Sequence, residues 1–187
     1  MLIGISGKMG VGKTTSAQYL SKYYGFISKS FANPLRDKAK LLFPFTDDDL
    51  NVHNKDKEFQ QMGWTPREFL VKLGQFLRYY DSKYVISRME IYEGQKIVID
   101  DVRYEDEVNY ILNKKGILIR INRYDTENPH SKSELRYDRS DTELDNIKMD
   151  FTVESFDNVD ISNLYQSLDK IMRNIGIRKE VQNKLGD

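Results

Sequence analysis

The chain has 187 residues, of which 39% are hydrophobic and 31% are charged, and it contains no cysteine. This composition is typical of a globular domain with a sizeable core, and the lack of cysteine excludes disulfides, thiolate nucleophiles and cysteine-based zinc sites. Basic and acidic residues number 29 each, so bulk electrostatic attraction to a nucleic-acid polymer is not expected. No apolar run is long enough to predict a membrane span, and the N-terminal apolar stretch is too short for a signal peptide. We therefore expect a cytoplasmic protein with no membrane partner.

Apolar and polar residues alternate in a pattern that predicts strands separated by amphipathic helices. Asn33 and Thr65 are predicted helix N-caps, each followed by proline, and Gly25 and Gly116 are predicted to end helices. In chain order the predicted elements are strand 2–6, helix 13–24, strand 26–31, helix 33–43, helix 67–80, a helix within 81–93, strand 96–100, helix 105–115, strand 117–122, strand 150–154 and helix 161–175. This order predicts a three-layer α/β/α fold with a five-stranded parallel sheet.

Residues 123–148 are polar and show no hydrophobic period. A long unpatterned segment inside a compact domain is usually functional or disordered. We interpret this one as a lid inserted into a single domain that spans 1–187. We interpret the last residues, from about 177, as a polar tail.

The segment "GKMGVGKT" matches the phosphate-binding pattern G-x-x-x-x-G-K-[ST], here called the P-loop, between a predicted strand and a predicted helix. Its glycines let successive backbone N–H groups turn towards phosphate oxygens, and the following helix adds its positive end. In this pattern the lysine reaches the β- and γ-phosphates, and the threonine hydroxyl holds Mg²⁺. The predicted ATP-binding residues are Gly7, Lys8, Met9, Gly10, Val11, Gly12, Lys13, Thr14 and Thr15.

A second constellation, "VIDDVRYEDE", begins in a buried strand and ends in a predicted helix. Asp100 and Asp101 end that strand at the sheet edge where α/β folds bind ligands. One carboxylate can hold Mg²⁺ and the other can hydrogen-bond an acceptor. Arg103 follows closely and can bind a phosphate with two parallel hydrogen bonds.

These segments together resemble the bacteriophage deoxynucleoside monophosphate kinases, a branch of the P-loop kinases. The similarity covers residues 3–155 and includes "SGKMGVGKTT", "FANPLRDKAKLLF", "TPREFLVKLGQFLR", "VIDDVRYEDEVNYI", "GILIRINR" and "HSKSELRYDRSDTELD". It implies transfer of the ATP γ-phosphate to a deoxynucleoside 5′-monophosphate with Mg²⁺, in the host cytoplasm if the protein is viral. It also makes a homodimer plausible.

The resemblance implies a role for individual positions of this sequence. Lys13, Asp101 and the lid residues Arg136 and Arg139 would be catalytic, and Thr14 and Asp100 would hold the metal. The "HSKSE" turn carries one residue more than the family pattern, so the lid arginines are aligned only approximately. The implied acceptor-binding residues are Arg36, Arg67, Arg78, Asp100, Asp101, Arg103 and Glu107.

Two other functions remain open from sequence. A P-loop kinase of another phosphorylated acceptor, such as a dephospho-coenzyme or phosphomevalonate, would use the same arginines. An ATP-dependent binding or switch protein would instead expose an apolar patch on helix 161–175. Trp64 either stacks on a base or anchors the core.

Overall fold

A computed structural model describes residues 1–51, 54–124, 143–156 and 160–180. They fall into two compact units, the P-loop unit (Met1–Ser30 and Ile91–Asp187) and the helical unit (Phe31–Glu90). In chain order the elements are β1 Leu2–Ser6, α1 Lys13–Tyr24, β2 Ile27–Lys29, α2 Asn33–Leu42, α3 Pro66–Tyr80, α4 Tyr84–Ser87, β3 Ile97–Val102, α5 Glu105–Asn113, β4 Ile117–Tyr124, β5 Phe151–Phe156 and α6 Ser162–Asn174. None of the helices in the described ranges is long and apolar enough to cross a membrane.

The P-loop unit is built on one parallel sheet with the strand order β2-β3-β1-β4-β5. β1 lies in the centre and is buried along its whole length, which explains why its sequence is continuously apolar rather than alternating. This sheet confirms the predicted five parallel strands.

Helices cover both faces of the sheet. Ile3 and Ile5 of β1 are fully buried in one cluster with residues of α1 and α6, including Leu20 and Leu168. Gly4 lies between them and faces the opposite side, where a side-chain β-carbon would come within 2.3 Å of Ile111 Cδ1 of α5. The P-loop unit therefore has the predicted three layers.

Most strand and helix ends differ from the sequence prediction by one to three residues, and three of the differences change how a segment is assigned. β2 is limited to Ile27–Lys29, because it is an edge strand that pairs only with β3 over three residues. β4 continues to Tyr124, since β5 pairs with it as far as Phe156, so residues 123 and 124 are strand rather than lid. Asn33 is the first residue of α2 rather than its cap, and Ala32 is the cap. The rest of the predicted lid up to residue 142 lies outside the described residues.

The helical unit has an aromatic core. The rings of Phe45 and Phe59 are 4.5 Å apart, and Trp64 lies 5.3 Å from Phe43 and 5.8 Å from Phe69 between ring centroids. Trp64 therefore anchors this core. The predicted cap of α3 is confirmed: Thr65 Oγ1 accepts from the backbone N–H of Glu68 at 3.2 Å, and the Glu68 carboxylate accepts from Thr65 N at 2.8 Å.

Residues 177–180 lie against the P-loop unit. Lys179 Nζ pairs with Asp169 Oδ2 at 2.7 Å, and Asp169 Oδ1 accepts from the hydroxyls of Tyr19 and Tyr24 at 2.8 and 2.7 Å. Burial works to raise the pKa of Asp169, but hydrogen bonds from Lys179, Tyr24 and Tyr19 outweigh it and hold the pKa below its usual range. Residues 178–180 are exposed and polar as predicted, but the segment 177–180 is held by specific contacts, and residues 181–187 lie outside the described part.

Candidate active site

The loop between β1 and α1 has the backbone geometry that its glycines make possible. Gly7, Gly10 and Gly12 have φ angles of 147°, 79° and 102°, a region that other residues rarely adopt. At Gly7 a β-carbon would lie 2.3 Å from the carbonyl oxygen of Ile121 in β4, so the loop begins in close contact with the sheet. A β-carbon at Gly10 would meet nothing within 4 Å, so only the backbone conformation explains that glycine.

Lys13 lies at the start of α1 and turns back over the loop. Its Nζ donates to the carbonyl oxygens of Gly7 at 2.6 Å and Lys8 at 2.7 Å. Thr14 is exposed in the first turn of the same helix, and Thr15 is half-buried. Val11 is 6% exposed and packs into the core, whereas Met9 is 55% exposed. The loop is therefore anchored in the core by Val11 and exposed at Met9. This arrangement leaves an ammonium group and a helix N-terminus at the place where the sequence predicts a polyphosphate.

The end of β3 lies beside the strand that leads into the P-loop. Ser6 at the end of β1 is in register with Val102, so Asp100 and Asp101 are at the same edge of the sheet as the loop. Both aspartates are half-buried, and they lie where the pairing of β3 with β1 shifts register, between Gly4 and Ser6. Ser30 Oγ donates to Asp101 Oδ2 at 2.5 Å, which fixes this carboxylate from the end of β2.

Glu107 holds the turn that connects β3 to α5. It is 2% exposed, and its Oε2 accepts from the backbone N–H groups of Arg103 at 2.7 Å and Tyr104 at 3.2 Å. Arg103 itself is half-buried. Because a buried carboxylate is stable only when it is hydrogen-bonded, these contacts account for the position of Glu107 in the fold.

Arg123 is a residue to which sequence reasoning gave no role. It is exposed near the end of β4, and its Nη1 lies 3.4 Å from the carbonyl oxygen of Gly10 in the P-loop. Ser30 was missed as well. The signal that could have found both is topological: the carboxyl ends of parallel strands meet at one edge of a sheet, so polar residues at the ends of β2 and β4 belong with those of β1 and β3.

The remaining predicted arginines of the described chain belong to the helical unit. Arg36 in α2 donates to Asn33 Oδ1 at 3.0 Å, and its Nε is buried with no hydrogen-bond partner within the described part of the chain. Arg67 in α3 binds the Asp56 carboxylate through both Nε and Nη2, the latter at 2.8 Å from Oδ2. Arg78 is half-buried in the last turn of α3. Arg136 and Arg139 lie outside the described residues, so their roles stay predictions.

Comparison with known proteins gives the family. A family model described as an AAA domain matches residues 3–128. A protein of Acanthamoeba polyphaga mimivirus named "Putative deoxynucleotide monophosphate kinase" is 35% identical over 143 residues, which cover 66% of this chain and 74% of that protein. Dephospho-CoA kinase from Campylobacter jejuni has a similar structure, with a TM-score of 0.50 and 16% sequence identity, over 93% of this chain and 96% of that enzyme.

The last similarity is evidence for the fold alone, and it agrees with the parallel sheet and the P-loop described above. The family model covers more than half of this chain. The mimivirus relative is matched over about three quarters of its length. The chain therefore belongs to the AAA-domain family that this model describes, and it is a P-loop kinase, a nucleotide-binding phosphotransferase.

Proposed function

We propose that this protein transfers the γ-phosphate of ATP to a deoxynucleoside 5′-monophosphate, giving the diphosphate and ADP. The observation that carries the proposal is the 35% identity to a relative named as a deoxynucleotide monophosphate kinase, over 74% of its length. The P-loop geometry supports the donor half of the reaction. The specific likeness to bacteriophage enzymes is part of this proposal, as is action in a cytoplasm.

The donor phosphates would be bound mainly by backbone N–H groups of the P-loop and by Lys13. In the structure Lys13 Nζ donates to two loop carbonyls, and a γ-phosphate oxygen would exchange these neutral acceptors for a charged one. The charge of Lys13 would then offset the charge that develops on the transferred group.

The residues at this edge of the sheet fit Mg²⁺. Thr14 offers an exposed hydroxyl and Asp100 a half-buried carboxylate. The described residues include no cluster of three or more His, Asp or Glu side chains that could hold a metal ion by themselves. Few protein ligands are what Mg²⁺ requires when it is shared with phosphate and water. When bound, Mg²⁺ would neutralise the β- and γ-phosphates.

The acceptor is already an anion, so a phosphate oxygen can attack the γ-phosphorus without a general base. The protein has to position two anions and offset their repulsion. Arg36 supports an acceptor phosphate in the helical unit, because its buried Nε has no partner in the described ranges and an anion would satisfy it. Arg103 is the corresponding candidate for the acceptor phosphate in the P-loop unit, and Asp101 would accept a hydrogen bond from a donor group of the acceptor. Arg67, Arg78, Arg136 and Arg139 stay proposed contributors.

An exposed apolar patch on helix 161–175 would have favoured the switch-protein alternative. In this range the large apolar side chains, such as Leu168 and Met172, are buried or half-buried except Ile161, which is 49% exposed. This observation favours catalysis on a small molecule over recruitment of a protein through α6. A homodimer remains part of the proposal.

The test is ADP release in a coupled assay with ATP, Mg²⁺ and each of dTMP, dGMP, dCMP and dAMP, with the matching ribonucleotides and dephospho-CoA for comparison. We expect turnover with at least one deoxynucleotide that exceeds every other acceptor. Activity only with dephospho-CoA or another phosphate ester would show that the protein is a kinase with an acceptor other than the proposed deoxynucleotide. No ADP release with any acceptor would contradict the proposal.

A further inference from the structure

The turn after β3 has three successive backbone N–H groups that are bound by carboxylates of the protein. Glu107 Oε2 accepts from Arg103 N at 2.7 Å and from Tyr104 N at 3.2 Å. Glu143 Oε1 accepts from the next N–H group, that of Glu105, at 3.0 Å. We call this pair of side chains, Glu107 and Glu143, the carboxylate clamp.

The clamp occupies donors that would otherwise attract an anionic ligand. The N-terminus of a helix that follows a strand in an α/β sheet is usually a good phosphate site, because its first N–H groups are unpaired and lie at the positive end of the helix dipole. At α5 the first of these groups, that of Glu105, already binds the Glu143 carboxylate, and Glu107 occupies the two N–H groups just before the helix. To bind these N–H groups, a substrate phosphate would have to displace the carboxylate of Glu107, which is only 2% exposed.

The two acids come from different parts of the P-loop unit. Glu107 lies in α5 itself and closes the turn from within the helix. Glu143 lies 38 positions after Glu105. Its position is fixed by the residues that follow it, because Arg120 of β4 donates to the carbonyl oxygens of Leu144 and Asp145. Leu144 is only 5% exposed. The turn is therefore held from two independently anchored sides.

We propose that Glu107 and Glu143 are positioning residues that hold the backbone of the turn at residues 103–105, so that the guanidinium group of Arg103 is the phosphate-binding group of this turn. This inference rests on the proposed function for its substrate, a nucleoside monophosphate. It assigns Glu107 a different role from the direct substrate contact that the sequence resemblance implies.

The clamp predicts a specific coupling to Arg103. In Glu143→Ala and in Glu107→Gln, the KM for the monophosphate should rise about tenfold, the scale of one charge-assisted hydrogen bond, with the KM for ATP unchanged. In an Arg103→Ala background the same changes should add less than about twofold, since the group that they position is gone. Glu105→Ala is the matched control, because it removes an exposed acid of the same turn and leaves both clamp carboxylates in place.

A full tenfold effect in the Arg103→Ala background would mean that the acid contacts substrate directly, and it would overturn the proposal. An unchanged KM in both single variants would overturn it equally. Should Glu107→Gln fail to fold, the cycle with Glu143→Ala is sufficient, because Glu143 is only half-buried.

A second measurement is independent of catalysis. Amide hydrogen exchange of the protein without substrate should be faster at Glu105 in Glu143→Ala and faster at Arg103 and Tyr104 in Glu107→Gln, with Glu105→Ala unchanged. Unchanged exchange in the two clamp variants would contradict the clamp itself. If exchange responds as expected but no monophosphate is phosphorylated by the unaltered enzyme, the proposed function fails and the clamp stands as a feature of the turn.

Discussion

The two compact units differ in how they hold the charged residues of the candidate site. In the P-loop unit Lys13 binds two loop carbonyls and Glu107 binds N–H groups of the turn after β3, whereas Asp101 accepts from the Ser30 side chain. In the helical unit the arginines contact side chains, as Arg67 does with Asp56. A charge fixed by backbone is determined by the local path of the chain, whereas a charge fixed by another side chain depends on a residue that no local motif specifies.

The cores of the two units also differ, in the kind of apolar side chain that fills them. The P-loop unit is built around aliphatic strands whose residues are buried on both faces, such as Ile3 and Ile119. The helical unit is built around rings, in which Phe45 and Trp64 pack with their neighbours. Trp64 is the one tryptophan among the 187 residues, so fluorescence excited selectively in tryptophan reports on the surroundings of this side chain in the helical unit.

The largest effect is expected from Lys13→Ala. Loss of the ammonium group should lower kcat by about 10²–10³-fold or more, because a positioned charge on the transferred phosphate is lost. The fold should be retained, since the lost contacts are two hydrogen bonds to loop carbonyls. The matched control is Lys22→Ala, an exposed lysine of the same helix. Normal turnover by Lys13→Ala in the ADP-release assay would show that the P-loop is not the donor site.

Gly7→Ala should abolish measurable ATP binding by calorimetry. The new β-carbon would lie 2.3 Å from a carbonyl oxygen of β4, at a φ of 147°, so the start of the loop would have to move. Gly94→Ala is the control in the same unit, because its φ of 83° imposes a similar strain while nothing lies within 4 Å. It should cost about 1 kcal/mol of stability and leave ATP affinity unchanged. Equal losses of affinity in both variants would contradict the assigned loop geometry.

Phe45→Ala should destabilise the helical unit by about 3–5 kcal/mol, the usual range for removing a buried phenyl ring. Phe45 is 6% exposed and contacts the rings of Phe59 and Trp64. Denaturant unfolding followed by tryptophan fluorescence measures the loss. Leu41→Ala serves as the control, because Leu41 is 77% exposed in the same unit. If Leu41→Ala shifts the unfolding midpoint as much as Phe45→Ala does, burial of Phe45 does not explain its contribution to stability.

Arg67→Ala and Asp56→Ala distinguish an internal ion pair from a substrate contact. The side chains are 17% and 41% exposed, so their pairing should contribute only about 0.5–1 kcal/mol. If Arg67 acts only within the pair, both variants should lose similar stability and neither should raise the KM for the monophosphate. A rise in KM limited to Arg67→Ala would establish the substrate contact that the sequence predicts.

The smallest effect concerns pH and the segment 177–180. The pKa of Asp169 is lower in the folded chain than its ordinary value of 3.8. The contribution of the ionised side chain to the free energy of unfolding is therefore complete above pH 3.8 and is lost as the pH falls through the lowered pKa. Asp169→Asn should therefore lower the melting temperature near neutral pH. It should also reduce the difference in melting temperature between about pH 5 and pH 3. Circular dichroism at both pH values measures this. An unchanged pH dependence would mean that the Lys179 pair does not stabilise the fold.

The sequence predicted most of the sheet because each strand of the P-loop unit carries its own signal. β1 and β3 read as continuous apolar segments, and the P-loop motif fixes the residues between β1 and α1. The Thr65 cap of α3 was predictable for the same reason, since its partner Glu68 is three residues away. These features depend on neighbours in the chain.

Contacts between distant positions were not predictable in this way. Ser30 and Asp101 are 71 positions apart, and Arg123 is 113 positions from Gly10. The resemblance suggested substrate contact for Glu107, but its burial and its backbone partners appear only in the folded chain. The docked residues 177–180 look polar in sequence because Lys179 and Glu180 are charged, yet each has a specific partner in the fold.

The central claim is that backbone N–H groups between β1 and α1 bind the polyphosphate of ATP. Amide hydrogen exchange with and without ATP and Mg²⁺ measures this directly. We expect ATP and Mg²⁺ to slow exchange in residues 7–15. This protection should be smaller in Lys13→Ala and unchanged in Lys22→Ala. Unchanged exchange across residues 7–15 at saturating ATP would contradict the claim.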